Sequence, residues 1–80
     1  MTINIMAFGI AKDIIGGPTL KIEVAKGTSI EKLKSLLCER FPDFEKLRSL
    51  KIAVNEEYRT DDFVVGERDE VVIIPPVSGG

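Results

Sequence analysis

Residues 71–80 read VVIIPPVSGG. The first four are apolar and β-branched with no polar alternation, which is typical of a short strand buried on both faces. Pro75 and Pro76 end that strand, because proline has no backbone N–H to donate to a sheet and fixes φ. We therefore predict a central strand over residues 71–74 and an extended C-terminal tail over residues 75–80.

The first 24 residues predict a pair of strands. Apolar and polar residues alternate over residues 2–8 and again over residues 19–24, so one face of each strand is apolar. The apolar faces consist of Ile3, Ile5 and Ala7, and of Leu20, Ile22 and Val24. Between them Gly16, Gly17 and Pro18 break regular structure, and residues 11–15 predict a short helical turn. The two strands then form a loose hairpin.

One amphipathic helix is predicted after Gly27. Thr28 can cap it, and Glu31, three residues later, can reach back in a capping box. Apolar residues then recur at helical spacing, at Ile30, Leu33, Leu36, Leu37 and Phe41. Pro42 ends the helix. Residues 43–50 predict a turn with a short helical piece.

The rest of the chain completes a mixed sheet. Residues 51–54 predict a third strand, Asn55-Glu56 a tight turn into a short strand, and residues 60–62 a further turn. This order predicts an α+β fold in which one main helix packs across a mixed sheet and the last strand lies centrally beside the first. The arrangement is the β-grasp, or ubiquitin-like, fold, with its domain at residues 1–74 and the tail at residues 75–80.

Composition excludes several classes of function. The chain has 11 basic and 13 acidic residues and a net charge of −2, which gives no electrostatic basis for binding nucleic acid. Its apolar runs are too short for a membrane span, so the expected location is cytoplasmic. With no His and one Cys, a Cys/His metal site, a Ser-His-Asp triad and a disulfide are excluded. Cys38 is predicted to pack as a small hydrophobe.

The C-terminus is the predicted reactive site, since an 80-residue domain has little core to spare for a ligand cavity. Gly79 and Gly80 have no Cβ, so they can enter a channel little wider than bare backbone and deliver the terminal carboxylate to another protein's active site. That carboxylate is ionised at neutral pH and can attack the α-phosphate of a nucleotide. A sulfur or amine nucleophile can then displace the acyl adenylate. A second protein must bind ATP and Mg²⁺, because this chain has no phosphate-binding loop.

Four motifs, Phe8-Gly9, Val54-Asn55, Asp69-Glu70-Val71 and above all Pro75-Pro76-Val77-Ser78-Gly79-Gly80, carry a family resemblance. Through them the chain resembles the MoaD-type sulfur carriers, the small subunits of molybdopterin synthase. The resemblance implies that a MoeB-like enzyme, using ATP and Mg²⁺, adenylates Gly80, and that a sulfur donor protein supplies the sulfur of a thiocarboxylate. It also implies a heterotetramer with a MoaE-like large subunit. There the tail, threaded through residues 75–79, would donate sulfur to cyclic pyranopterin monophosphate during molybdenum cofactor biosynthesis, and the chain itself would bind no cofactor.

The resemblance also indicates docking residues. Phe8, on the second face of the first strand, and Ile74, where the tail begins, match family positions that contact partners, and Tyr58 and Val65 are expected nearby. Two positions depart from the family pattern. Arg68 replaces the glycine of the turn before the last strand, which predicts a change of turn type. Lys12-Asp13 replaces a common Arg-Glu, which keeps both charges but loses the forked hydrogen-bond donors of the arginine guanidinium.

Two other classes of function stay open. A thiamine-type or tungsten-type sulfur carrier, or a ubiquitin-like modifier of protein lysines, would use the same terminal carboxylate, although such relatives usually lack the Pro75-Pro76-Val77 lead-in. A ubiquitin-like docking module without chemistry would need neither Gly79 nor Gly80.

Overall fold

The computed structural model describes residues 1–46 and 50–74. Its elements, in chain order, are strand β1 (Thr2–Ala7), helix α1 (Gly9–Ile15), strand β2 (Thr19–Glu23), helix α2 (Ile30–Arg40), a 3₁₀ helix (Pro42–Lys46) and strands β3 (Lys51–Val54), β4 (Glu57–Tyr58) and β5 (Val71–Ile74). The predicted order of strands around one main helix is confirmed. The tail predicted at residues 75–80, and residues 47–49 of the predicted turn, lie outside the described residues.

The five strands form one mixed sheet in the order β2-β1-β5-β3-β4. Strand β5 runs parallel to β1, with Val71 level with Ile5, and antiparallel to β3, with Ile73 opposite Ile52. Strands β1 and β2 form the predicted antiparallel hairpin. The apolar run at residues 71–74 therefore marks the middle of the sheet, as predicted, and the architecture is the β-grasp.

Alternation along the strands divides the sheet into a core face and an open face. Side chains on the core face form one cluster with the buried side of α2, namely Ile3, Ile5, Ala7, Ile22, Val24, Ile30, Leu33, Leu37, Ile52, Val54, Val71 and Ile73. The alternate residues of β1 point to the other side, where Asn4 is exposed and Met6 is half-buried. A partner can therefore reach the open face without disturbing the core.

Helix α1 is longer than the predicted turn, because it begins at Gly9 rather than Ala11. Gly9 and Gly16 bound it, with φ of 56° and 81°. At the C-terminal end the Gly16 amide donates to the Lys12 carbonyl at 3.0 Å while Gly16 itself is left-handed, a conformation that glycine adopts without steric cost. The helix thus forms part of the β1–β2 connection and buries Ala11.

The predicted cap of α2 is wrong by one residue. Ser29 is the N-cap, and its Oγ accepts a hydrogen bond from the Lys32 amide at 3.2 Å. Thr28 Oγ1 instead donates to the Ala25 carbonyl at 2.6 Å. Because the third helical residue is now Lys32, Glu31 is one position too early to complete a capping box. The predicted end of the helix before Pro42 is confirmed.

The segment before β5 closes over the start of α2. The Ile30 amide donates to the Phe63 carbonyl at 2.8 Å, and the Val65 amide donates to the Thr28 carbonyl at 3.0 Å. The first of these bonds satisfies the Ile30 amide, one of the donors that the first turn of a helix leaves without an intrahelical partner. The two bonds together also place Val65 in the core, where it is 2% exposed, and leave Val64 at the surface, 54% exposed.

Asn55 and Glu56 form the predicted tight turn between β3 and β4. Their φ values are 53° and 70°, as a two-residue type I′ hairpin loop requires. The turn therefore forms although its second position lacks the usual glycine.

The Asn55 side chain fastens this turn to the turn before β5. Its Nδ2 donates to Asp69 Oδ1 and its Oδ1 accepts from the Glu70 amide, both at 2.9 Å. The Asn55 amide donates to the Glu70 carbonyl, also at 2.9 Å, and the Gly66 amide donates to Asp69 Oδ2 at 2.6 Å. These bonds hold the start of β5 against the end of β3, so they give two of the four recognised motifs a structural role.

Replacing Asn55 by alanine is expected to lower the free energy of unfolding by about 2–3 kcal/mol, because two side-chain hydrogen bonds are lost and alanine is forced into the left-handed region. Asn55→Gly loses the same bonds but accepts a positive φ, so its expected cost is about 1–2 kcal/mol. Urea unfolding of both variants and the parent measures the difference. Equal stability of the two variants would contradict the strain argument, and an unchanged Asn55→Gly variant would contradict the hydrogen-bond argument.

Arg68 stands in a turn that does not require glycine. The Asp69 amide donates to the Gly66 carbonyl at 3.1 Å and closes the turn. Among the described non-glycine residues, positive φ occurs at Asn55 and Glu56 and not at Arg68. The arginine is therefore accommodated without backbone strain.

Arg68→Gly is accordingly expected to destabilise the domain by about 0.4–1 kcal/mol, because glycine gives the unfolded chain more conformations to lose and relieves no strain in the folded one. Thermal unfolding at fixed protein concentration tests this, with Glu67→Ala as the control in the same turn. A gain in stability for Arg68→Gly would mean that the turn favours positive φ after all.

Candidate functional site

The candidate site is built around Ile74, the last described residue and the point at which residues 75–80 begin. Ile74 ends the central strand β5 on the open face. Its side chain is half-buried by neighbours on both flanking strands. A molecule that contacts Ile74 therefore lies at this end of the sheet.

Three residues form a row across the end of the open face. Ala7 pairs with Ile73 in the parallel β1–β5 ladder, and Phe8 follows in extended conformation, with φ −130° and ψ 162°, so Phe8 lies level with Ile74. On the other side Lys51 of β3 pairs directly with Ile74. Since neighbouring strands lie about 4.8 Å apart, Phe8, Ile74 and Lys51 present one continuous strip of surface.

A second row lies one pleat further along the strands. Met6 pairs with Val72, Val72 with Ala53, and Ala53 with Tyr58. Ala53 is buried even on this open face, because Val72 and Tyr58 flank it. We call the two rows together the open-face patch, which comprises Met6, Phe8, Lys51, Ala53, Tyr58, Val72 and Ile74.

The open-face patch is apolar and accessible. Phe8 is 55% exposed and Tyr58 is 65% exposed, whereas Met6, Val72 and Ile74 form a half-buried floor between them. Two exposed aromatic rings flanking an apolar floor are a typical anchor arrangement for protein–protein recognition. The open-face patch is therefore the candidate docking surface of the described residues.

Lys51 contributes the charge of this surface. Its Nζ lies 5.5 Å from the centroid of the Tyr58 ring, within the range of a cation–π contact. The aliphatic part of Lys51 thus extends the apolar strip, and its ammonium is held near the patch.

Three of the four predicted docking residues are brought together by the structure. Phe8, Tyr58 and Ile74 share the open-face patch. Val65 does not join them, because it belongs to the core beside α2 and has almost no accessible surface. Whether the other three contact a partner stays a prediction.

Sequence reasoning missed four members of the same surface, namely Met6, Lys51, Ala53 and Val72. Met6 lies two residues before Phe8 and so shares its face of β1, and the two-residue period of a strand likewise places Val72 on the same face of β5 as Ile74. Lys51 could not be found in this way, because its position beside Ile74 depends on the β3–β5 register.

A metal site and a membrane span would each require particular features of the described residues. In residues 1–46 and 50–74, His, Cys, Asp and Glu side chains form no group of three or more that could hold a metal ion. Cys38 is half-buried on α2 and packs against the core, as predicted. Within the same residues, none of the helices has the length and apolar character needed to cross a membrane.

A groove of about 540 Å³ lies along the outer side of α2. It is lined by Glu31, Lys34, Ser35, Cys38, Glu39 and Glu45. Lys34 also pairs with Asp61 at 2.8 Å. Because α2 covers the core face, this groove is on the other side of the domain from the open-face patch.

The fold defines a class, the ubiquitin-like β-grasp proteins. Comparison with known proteins gives the family: the model described as "ThiS family" matches residues 5–80, and the chain belongs to that family. One relative is the molybdopterin synthase sulfur carrier subunit of Arabidopsis thaliana, which is 40% identical over 79 residues, covering 98% of this chain and 82% of the relative. The family resemblance noted in the sequence is thereby confirmed.

Solved structures agree on the fold. SAMP1 of Haloferax volcanii superposes with a TM-score of 0.83 at 19% identity, covering 100% of both chains. A chain from the complex of subunits 1 and 2 of the molybdopterin-converting factor of Helicobacter pylori superposes with a TM-score of 0.67 at 23% identity, again covering 100% of both. At these identities the similarity establishes the β-grasp architecture alone.

Proposed function

We propose that this chain is the sulfur carrier subunit of a molybdopterin synthase, with Gly80 as its reacting residue. The observation that carries the proposal is the position of Ile74. Residues 75–80, which end in Gly79-Gly80, follow Ile74 directly in the sequence, and Ile74 belongs to the open-face patch, so a partner that docks on the patch contacts the residue from which this segment begins. Docking and delivery of the terminus are then a single event.

The chemistry proceeds at the terminal carboxylate. A MoeB-like activating enzyme binds ATP and Mg²⁺, and the Gly80 carboxylate attacks the α-phosphorus, so that pyrophosphate leaves and an acyl adenylate forms. Sulfur at the sulfide level, supplied by a donor protein, displaces AMP and leaves a thiocarboxylate. Donation of that sulfur to cyclic pyranopterin monophosphate, with water completing the cycle, returns Gly80 to a carboxylate.

The acceptor site belongs to a large subunit in this proposal. The H. pylori structure is a complex of subunits 1 and 2 of a molybdopterin-converting factor, which supports a MoaE-like partner for this chain. A dithiolene needs two sulfur atoms and each carrier brings one, which fits a heterotetramer with two small subunits. The open-face patch is the surface we assign to the large subunit, because it is the apolar surface continuous with the start of the tail.

Mass spectrometry tests the reaction. The purified chain is incubated with the activating enzyme, ATP, Mg²⁺ and a sulfur donor, and the C-terminal peptide is then analysed. We expect a mass increase equal to the exchange of one oxygen for one sulfur at Gly80, and no increase when ATP is omitted. An unchanged mass in the complete mixture, with a known carrier converted in parallel, would contradict the proposal.

A protein-modifier function is the second candidate, because the fold also matches a small archaeal modifier protein of H. volcanii. It would use the same adenylate but transfer the acyl group to a lysine amine. Conjugates that survive denaturing electrophoresis and depend on Gly80 would favour it. A thiamine-type or tungsten-type sulfur carrier would form the same thiocarboxylate at Gly80. Only the molecule that accepts the sulfur would differ.

A further inference from the structure

We propose that the partner surface covering Ile74 carries a carboxylate that pairs with Lys51 Nζ, which makes Lys51 a specificity-determining residue of the interface. This inference rests on the proposed function, because it specifies the chemistry of the surface that the large subunit presents. It goes beyond that function in assigning a charge to the partner and a role to a residue outside the recognised motifs.

The register of the sheet makes Lys51 part of any interface that includes Ile74. The two residues are direct partners in the antiparallel β3–β5 ladder, so their Cα atoms lie within about 5.5 Å of each other. Both point to the open face, and Lys51 is exposed. A partner that buries the side chain of Ile74 therefore approaches that of Lys51.

The ammonium of Lys51 has an aromatic neighbour but no ionic one among the described residues. Its Nζ lies over the Tyr58 ring. The ion pairs found in the described part of the chain are formed by the N-terminus, Lys34, Lys46 and Arg59, each with a carboxylate elsewhere. The open-face patch itself contains no acidic residue.

Desolvation then determines what the partner must supply. Enclosing an ammonium in an apolar interface without a charged acceptor costs more than contact with one aromatic ring returns. The ammonium lies beside the Tyr58 ring, so a compensating group opposite the Lys51–Tyr58 pair is within its reach. A carboxylate satisfies both the charge and the hydrogen-bond donors of the ammonium.

Lys21 provides a matched control. It is an exposed lysine on the same open face, in the edge strand β2, where it pairs with Asn4. Three strand spacings separate β2 from β3, or about 14 Å. A general effect of net charge would act on both lysines, whereas a local carboxylate acts on Lys51.

The test measures the dissociation constant of the molybdopterin synthase large subunit from the same organism for the full chain and its variants, by calorimetry at low and high salt. We expect Lys51→Glu to weaken binding about 10–50-fold at low salt and less at high salt, and Lys51→Arg to change it by about twofold or less. Lys51→Met should show an intermediate loss and a weaker dependence on salt than the parent. Lys21→Glu should stay within about twofold.

The outcomes separate this inference from the proposed function. If the parent chain binds and Lys51→Glu binds as Lys21→Glu does, the carboxylate is absent and the inference alone is overturned. If the parent chain does not bind the large subunit at all, both are overturned. Restoration of Lys51→Glu binding by reversing one acidic residue of the large subunit would identify the pairing group.

Discussion

One alanine added after Gly80 is expected to abolish sulfur transfer, lowering its rate at least about 10²–10³-fold. The added residue moves the reacting carboxylate by about 3.3–3.6 Å and gives the end of the chain a Cβ. Displacements of about 1 Å from a productive geometry already cost about 10²-fold in rate. The measurements are the yield of thiocarboxylate in the activating reaction and the formation of molybdopterin from cyclic pyranopterin monophosphate.

Docking serves as the internal control for this variant. Residues 75–80 separate the added alanine from Ile74, the last residue of the open-face patch. The extended chain should therefore still bind the large subunit through that patch. Loss of chemistry with retained binding is therefore the expected pair of results. Normal sulfur transfer by the extended chain, verified as untrimmed by mass spectrometry, would eliminate Gly80 as the reacting residue and with it the proposed function.

Separate measurement of binding through the open-face patch and of chemistry at Gly80 also tests the docking-module alternative. A module without terminal chemistry would retain its activity when Gly79 and Gly80 are deleted. A sulfur carrier would keep its affinity and lose its turnover. Binding and turnover must therefore be measured on the same preparation, because neither measurement alone distinguishes a sulfur carrier from a docking module.

The parts of the fold that depend on local pattern were predictable. The uninterrupted apolar run of β5 indicated a central strand, and strict alternation in β1 and β2 assigned their faces correctly. The tight turn at Asn55-Glu56 was also predicted, because asparagine is among the few residues that tolerate a left-handed backbone. In each case neighbouring residues suffice to determine the structure.

The errors arose where distant residues decide between adjacent positions. Thr28 and Ser29 are both suitable N-cap residues. In the structure the N-cap is Ser29, and residues 61–65 form backbone hydrogen bonds with the residues on either side of it. Val64 and Val65 are the same residue type in adjacent positions, so the sequence does not distinguish them. In the structure Val64 forms a β-bridge with Ser29, more than thirty positions away, and is exposed, whereas Val65 is buried. The place of Lys51 beside Ile74 likewise follows from strand register, which is a property of the assembled sheet.

Phe8→Asp is expected to weaken binding of the large subunit about 30–1000-fold, corresponding to about 2–4 kcal/mol for a central aromatic anchor. Phe8 lies level with Ile74 in the first row of the open-face patch, so the substitution removes the ring and places a carboxylate against the apolar floor. Because the side chain is 55% exposed, the free energy of unfolding should change by no more than about 0.5 kcal/mol.

Val64→Asp is the matched control for this variant. Val64 is 54% exposed, nearly the same as Phe8, but it lies on the segment that closes over α2 rather than on the open face. Introducing the same charge there should leave the dissociation constant within about twofold. If the two variants bind the large subunit equally well, the patch is not the docking surface, and the adjacency of that surface to the start of residues 75–80 no longer supports a sulfur carrier. A selective loss at Phe8 would instead place the large subunit on the end of the sheet from which the reactive segment begins.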